Sequence, residues 1–180
     1  ASKDEQVKAA LAAFRATLPK DDPNAEWTLL CGTGGDIKLG KTLVYSHATG
    51  QCQRCHTVHG VGGNVGPELG AIGKLRDPAY LLRSLLNPNA EVAEGFGMGT
   101  LTLKDGTVIG GTFLPDDKDG NTVLKIVEEI KVFPKDQIKE RSEAISGMPP
   151  MAGLLTRQEM RDILAYLVSN KEDKTDEGHK

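Results

Sequence analysis

Residues 52–56 read Cys52-Gln53-Arg54-Cys55-His56, two cysteines three apart with a histidine directly after the second. This run constrains the chain more than any other. Residues three apart lie on one face of a helical turn, so the two thiols are presented side by side. The pattern predicts covalent attachment of one haem, with Cys52 and Cys55 reaching the two vinyl groups on one edge and His56 reaching the iron as proximal ligand. Two other readings stand beside it. A redox dithiol would sit near a βαβ pattern, and none surrounds the run. A zinc site would need Cys31, His47 or His59 to complete it, and the interval from Cys31 to Cys52 is not a usual zinc spacing.

The rest of the composition narrows the class. A net charge of −3 and a pI near 5.8 argue against nucleic acid as a partner, because that needs a basic face. No run of about 18 apolar residues is present, so no membrane span is expected. At 180 residues the chain is long enough for one core-forming unit with a small appendage. It starts at Ala1 with no apolar leader, which reads as a processed or excised form. Cys31 is left over from the pair and reads as a small buried thiol, with an intermolecular disulfide as the other possibility.

Periodicity then orders the chain. Val7, Ala10, Leu11, Phe14 and Leu18 are spaced for an amphipathic helix over 3–18, ended by Pro19 and the Asp21-Asp22-Pro23 stretch. Asp36 is a helix N-cap for a segment running to Tyr45. After the cysteine pair comes a Gly-rich loop, 60–73. Asp77-Pro78 opens a helix that closes before Asn87-Pro88. From Gly99 the period changes to two, and Asp105-Gly106 reads as a hairpin turn. Gly110-Gly111 reads as a bulge in the returning strand, and 122–127 and 130–133 as two further strands. Thr156, with Glu159 three residues on, is a capping box for a last helix to Ser169 lined by Ile163, Leu164, Tyr166 and Leu167.

Several stretches resemble small bacterial c-type cytochromes. Gly40-Lys41-Thr42-Leu43-Val44-Tyr45 resembles their N-terminal helix, whose Gly and aromatic residue meet the C-terminal helix. The stretch CHTVHGVGGNVGPELGAIG (55–73) resembles the segment after the haem motif. There the proline carbonyl, here Pro67, receives the proximal histidine's N–H, and the following Gly-Pro-x-Leu places Leu69 beside the cofactor. The stretch MPP…LLTRQEMRDILAYL (148–167) resembles the distal loop and last helix, which would make Met148 the sixth ligand. With YLLRSLLNPNAEVAEGF and LKDGTVIGGTF, the chain looks like a haem-binding domain common in planctomycetes and related bacteria, often fused to dehydrogenase-like regions.

The resemblance implies a mainly α, cytochrome c-like helical fold around one haem, with an extra N-terminal helix. A small antiparallel β meander, three or four strands over about 97–141, would be inserted and would pack on the helices. The organisation would be an N-terminal helix and linker over 1–35, a cytochrome c domain over 36–169, and a charged tail over 170–180. The implied function is periplasmic electron transfer through one covalent haem c and its iron, with His56 and Met148 axial and Cys52, Cys55, Pro67 and Leu69 holding the cofactor. The partner would be a redox protein, a dehydrogenase or a terminal oxidase or reductase. Alternatives are a cytochrome domain of a larger dehydrogenase-type protein, or a haem enzyme or gas sensor should the distal Met be loose.

Four methionines compete for the distal position. Met148 ranks first because a loop Met before Pro is held pointing inward, Met151 second and Met98 third, while Met160 reads as core filler. His59 is too close to His56 to cross to the far side, and His47 would ligate only in a rearranged state. Two weaker signals are set aside. Gly35-Asp36-Ile37-Lys38-Leu39-Gly40-Lys41-Thr42 matches a phosphate-binding loop, but no Walker-B strand follows. Asp117-Lys118-Asp119-Gly120 is similar to part of a calcium loop but lacks the other ligands, and reads as a turn.

Overall fold

The computed structural model of the chain describes residues 3–22 and 24–172. The charged tail expected over 170–180 lies outside the described residues from 173 on, as does Pro23 of the expected linker.

The helices begin where their caps dictate. Asp36 accepts the N–H groups of Lys38 and Leu39 and opens α3 (Ile37–Ser46). Asp77 accepts from Tyr80 N–H, with Pro78 at the first helical position of α6 (Pro78–Leu86). Thr156 and Glu159 form a reciprocal capping box at the start of α7 (Arg157–Ser169). Such caps are each worth about 1 kcal/mol. Two more helices precede α3, α1 (Lys3–Ala16) and α2 (Ala25–Cys31), and two single turns lie between α3 and α6, α4 (Cys52–Cys55) and α5 (Ile72–Leu75). Helix α2 and the turn α5 were not expected. Helix α2 is held by charge: Glu26 accepts from both Arg15 and Arg157, and the Arg157 guanidinium lies 5.2 Å from the Trp27 ring centroid.

The helical core forms around α7. Met160, Ile163, Leu164, Tyr166 and Leu167 are buried on it, against Val44, Leu81, Leu82, Leu85 and Cys31 from α3, α6 and α2. Burying side chains of this kind stabilises by roughly 1.5–3 kcal/mol each. Helices α3 and α7 meet without a spacer: a Cβ on Gly40 would stand 1.9 Å from the Asp162 carbonyl oxygen. Asp162 is itself buried and accepts the Asp36 N–H and the Gln158 amide, tying the start of α3 to α7. Cys31 is buried, with its Sγ 3.5 Å from the Arg157 carbonyl, so it behaves as a core thiol and is inaccessible to a second chain. On α1, Val7 and Leu11 stay exposed.

The remaining strands are β1 (Thr57–Val58), β2 (Val61–Gly62), β3 (Gly97–Leu103), β4 (Val108–Phe113), β5 (Thr122–Ile126), β6 (Glu129–Phe133), β7 (Ile138–Arg141) and β8 (Ile145–Ser146). β3 to β8 make one antiparallel sheet in the order β6-β5-β4-β3-β7, with β8 also on β3. The Asp105-Gly106 turn joins β3 to β4, with Gly106 at φ 91° and Asp105 accepting Thr107 N–H. Gly110-Gly111 is not a bulge. β3 and β4 stay in register throughout, and a Cβ on Gly111 would meet the Lys125 carbonyl at 2.7 Å, so the glycine permits close approach of β5. The irregularity instead falls between Thr102 and Leu103 in the β3–β7 pairing. Asp117 accepts from the N–H groups of Asp119 and Asn121, which makes that stretch a turn.

These observations correct the expected fold class. The chain is not a mainly α, cytochrome c-like fold with a small meander; it is an α/β structure with a six-stranded antiparallel sheet. The strands do not depend on the helices for a core. Leu101, Phe113 and Leu124 bury one another with Ile109, Ile126, Phe133 and Ile138 around them, apart from the helical cluster. The physical reason lies in β7 and β8. Both are short and bury none of their side chains, so they carry no alternating signal, and their pairing with β3 is non-local. The resemblance to class I-like monohaem cytochromes and to the planctomycete haem-binding domain is corrected with the fold it implied.

Candidate cofactor-attachment site

The cysteine pair sits on α4, a single turn entered through Gln51 at φ 42° and closed by the His56 N–H donating to the Cys52 carbonyl at 2.9 Å. Cys52 is half-buried and borders the helical core, whereas Cys55 is exposed; both thiols are free. Burial pushes the Cys52 thiol up from its ordinary value. A disulfide-exchange nucleophile is favoured by the opposite shift, so burial does not activate Cys52 for redox cycling.

The next residues fold back on this turn. His59 and Gly60, at φ 51° and 82°, make the two-residue turn between β1 and β2. Gly63, Gly66 and Leu69 then donate their N–H groups to the carbonyls of Gln53, Cys55 and Thr57 at 2.8–2.9 Å. Glu68 fastens the end of the loop by accepting from the N–H groups of His59 and Gly70. This wrapping brings Pro67 under the imidazole of His56.

There, His56 Nδ1–H donates to the Pro67 carbonyl at 2.7 Å. A carbonyl only accepts, so this bond places the proton on Nδ1 and leaves the lone pair on Nε2. Nε2 has no hydrogen-bond partner among the described residues. Burial lowers the pKa of His56, opposed in part by the Pro67 bond and by Glu68, and the neutral ring is the form that ligates a metal. Gly66 backs the ring, since a Cβ there would lie 2.5 Å from Cε1. The site therefore offers a neutral, oriented imidazole nitrogen beside two free thiols on one helical turn.

The other candidate residues separate clearly. Leu69 and Met148 are half-buried and border the same helical core as Cys52. Met151 and Met160 are buried within that core, and Met98 is 42% exposed on β3. His47 is fully engaged: Nδ1 accepts from Gly50 N–H at 2.8 Å and Nε2 lies 3.3 Å from Glu159. His59 keeps its Nδ1 buried without a hydrogen-bond partner among the described residues. Among the described residues no group of three or more His, Cys, Asp or Glu comes together, which leaves the zinc reading without its ligands. The Gly35–Thr42 stretch caps α3 through Asp36. A groove of about 550 Å³ lies nearby, lined by Tyr45, His47, Gln51, Gln53, Arg54 and Val61, and Cys52, Cys55 and His56 take no part in it.

Sequence reasoning passed over Gly66 and Glu68. Both follow from their position in the loop, and the signal available was the fixed number of residues between the cysteine turn and Pro67. No protein-family model and no curated protein matches the chain. No helix among the described residues is long and apolar enough to cross a membrane.

Proposed function

We propose that the chain is an electron carrier with one haem c joined to Cys52 and Cys55. The observation that carries this reading is the His56–Pro67 bond, which fixes the tautomer of an otherwise uncommitted imidazole next to two free thiols. Such a bond orients a ligating histidine and raises its basicity. The donor set fits the group: Cys52 and Cys55, both free thiols, would hold it through thioethers formed by addition of each S–H across a vinyl C=C. When bound, such a haem supplies one-electron chemistry between ferric and ferrous iron.

The chain's own residues do the rest. His56 would hold the iron through its free Nε2. Met148, half-buried at the edge of the helical core, is the candidate for the second axial ligand, and a thioether there favours ferrous iron and a higher potential. Met151 and Met160 are occupied in packing and His47 in hydrogen bonds. With His56 and Met148 both holding the iron, the protein would act as a carrier, exchanging electrons with a redox partner protein rather than transforming a substrate. Attachment of this kind belongs to an oxidising compartment, so a periplasmic location goes with the reading.

The test is denaturing mass spectrometry of the chain exported from a host that attaches haem covalently, followed by visible spectra with and without CO. The expected result is chain plus one haem, resistant to acid-acetone extraction and indifferent to CO, with CO binding created by Met148→Ala and not by Met98→Ala. Haem that extracts freely, or bound zinc in its place, overturns the reading.

A further inference from the structure

β8 runs directly into Gly147-Met148-Pro149-Pro150, so the sheet delivers the chain to Met148. Ser146 pairs with Gly97 and Ile145 with Met98 at the start of β3. Asn89, just beyond α6, accepts the Ser146 N–H on its side-chain oxygen at 2.8 Å. The Ser146 hydroxyl oxygen in turn accepts the Met148 N–H at 3.1 Å. Gly147 rests on Met98: a Cβ there would stand 3.1 Å from its Cε and 3.7 Å from its Sδ. Downstream, the loop is anchored by Met151 and Leu155, both buried in the helical core. Met148 thus hangs between a sheet anchor and a helical anchor, with a single side chain, Ser146, linking its backbone to the first.

We propose that Asn89 and Ser146 are positioning residues that set the place of the Met148 thioether, making the sheet the support of the distal ligand. This rests on the reading of Met148 as the sixth ligand. Asn89 fixes β8 against the end of α6, and Ser146 passes that constraint to the Met148 amide. A displacement of β8 would therefore reach the Met148 backbone through these two side chains. The sheet then has a role in ligation that a separate docking module would not have.

The test uses the full haem-loaded chain with Ser146→Ala, Asn89→Ala, Ser146→Thr and, as control, Ser142→Ala. Ser142 also accepts a backbone N–H in the sheet, from Thr100, but does not touch the Met148 loop. Reduction potential, CO binding to the ferrous protein and amide exchange at Met148 are read together. Ser146→Ala and Asn89→Ala are expected to keep both thioethers, lower the potential and let CO bind. Amide exchange at Met148 should rise about fivefold to tenfold, as loss of one such hydrogen bond implies. Ser146→Thr, which keeps the hydroxyl, should restore the wild-type values, and Ser142→Ala should not change them. Wild-type potential and CO indifference in both alanine variants overturn the proposal while leaving the haem reading intact. A wild-type chain without covalent haem, or a Met148→Ala protein that still excludes CO, overturns the ligand reading and the proposal with it.

Discussion

Replacing Gly66 by Ala tests the site at its tightest point. Gly66 is not among the residues at positive φ, so its backbone accepts alanine and the effect is steric. The new Cβ would stand 2.5 Å from His56 Cε1, 2.8 Å from Nδ1 and 3.0 Å from Nε2. Carbon atoms rest about 3.5–4.0 Å apart, so the ring must retreat by on the order of 1 Å. The Nδ1–Pro67 bond, 2.7 Å long, then opens past the useful hydrogen-bond range. Losing it costs about 1 kcal/mol and overpacking adds about 1–3 kcal/mol. For a ligating histidine, loss of the partner that orients it typically weakens metal affinity about 10–100-fold. Urea unfolding of the haem-free chain reads the first quantity and the reduction potential of the haem-loaded chain reads the second. Gly153→Ala serves as control, because a Cβ there meets nothing within 4 Å. Gly66→Ala matching the control in both midpoint and potential would refute the argument that this loop holds the imidazole in place.

The remaining predictions concern the scaffold. Gly40→Ala should destabilise by about 3 kcal/mol in urea, despite the roughly 1 kcal/mol gained in helix propensity, because its Cβ would meet the Asp162 backbone and push α3 off α7; equal stability would mean that the helices are not in contact there. Val127 is a β-branched residue at φ 56° and 85% exposed in the β5–β6 turn, so Val127→Gly should raise the thermal midpoint by an amount equivalent to about 1 kcal/mol, and a lower midpoint would contradict it. Glu159 has its pKa lowered, chiefly by the Thr156 backbone N–H, then by the Thr156 hydroxyl and His47. A depressed carboxylate contributes stability that is present above its ordinary value near 4.5 and lost as pH falls through the lowered one. An acid titration of wild type against Glu159→Gln, which removes the titrating carboxylate, should therefore show a shallower loss in the variant, and parallel curves would exclude Glu159 as the cause.

Local chemistry was legible along the chain, and the reasons differ by element. Asp36, Asp77-Pro78 and Thr156 with Glu159 announce helix starts because a cap is a contact within three residues. Asp105-Gly106 announces a turn for the same reason, and the cysteine pair with its histidine shares one helical turn whatever surrounds it. The sheet was legible only in part. β3, β4, β5 and β6 announce themselves, with Leu101, Phe113 and Leu124 buried, but nothing in Ile138–Arg141 or Ile145–Ser146 says that β3 will accept partners on its other side. Helix α2 was hidden too, since Glu26 and Trp27 find their partners on Arg15 and Arg157.

By itself the sequence determined where the capped helices α3, α6 and α7 begin, where the chain turns at Asp105-Gly106, and which residues carry the thiols and the imidazole on the α4 turn. Those properties depend on neighbours within a few positions, whose separation is set by covalent geometry. Only the tertiary structure decided which nitrogen of His56 is free, that Glu159 engages His47, that the strands own a core, and that Asn89 holds the Ser146 N–H. Each of these is a contact between segments far apart along the chain. Such contacts form only when folding brings the segments together, and no local pattern records them.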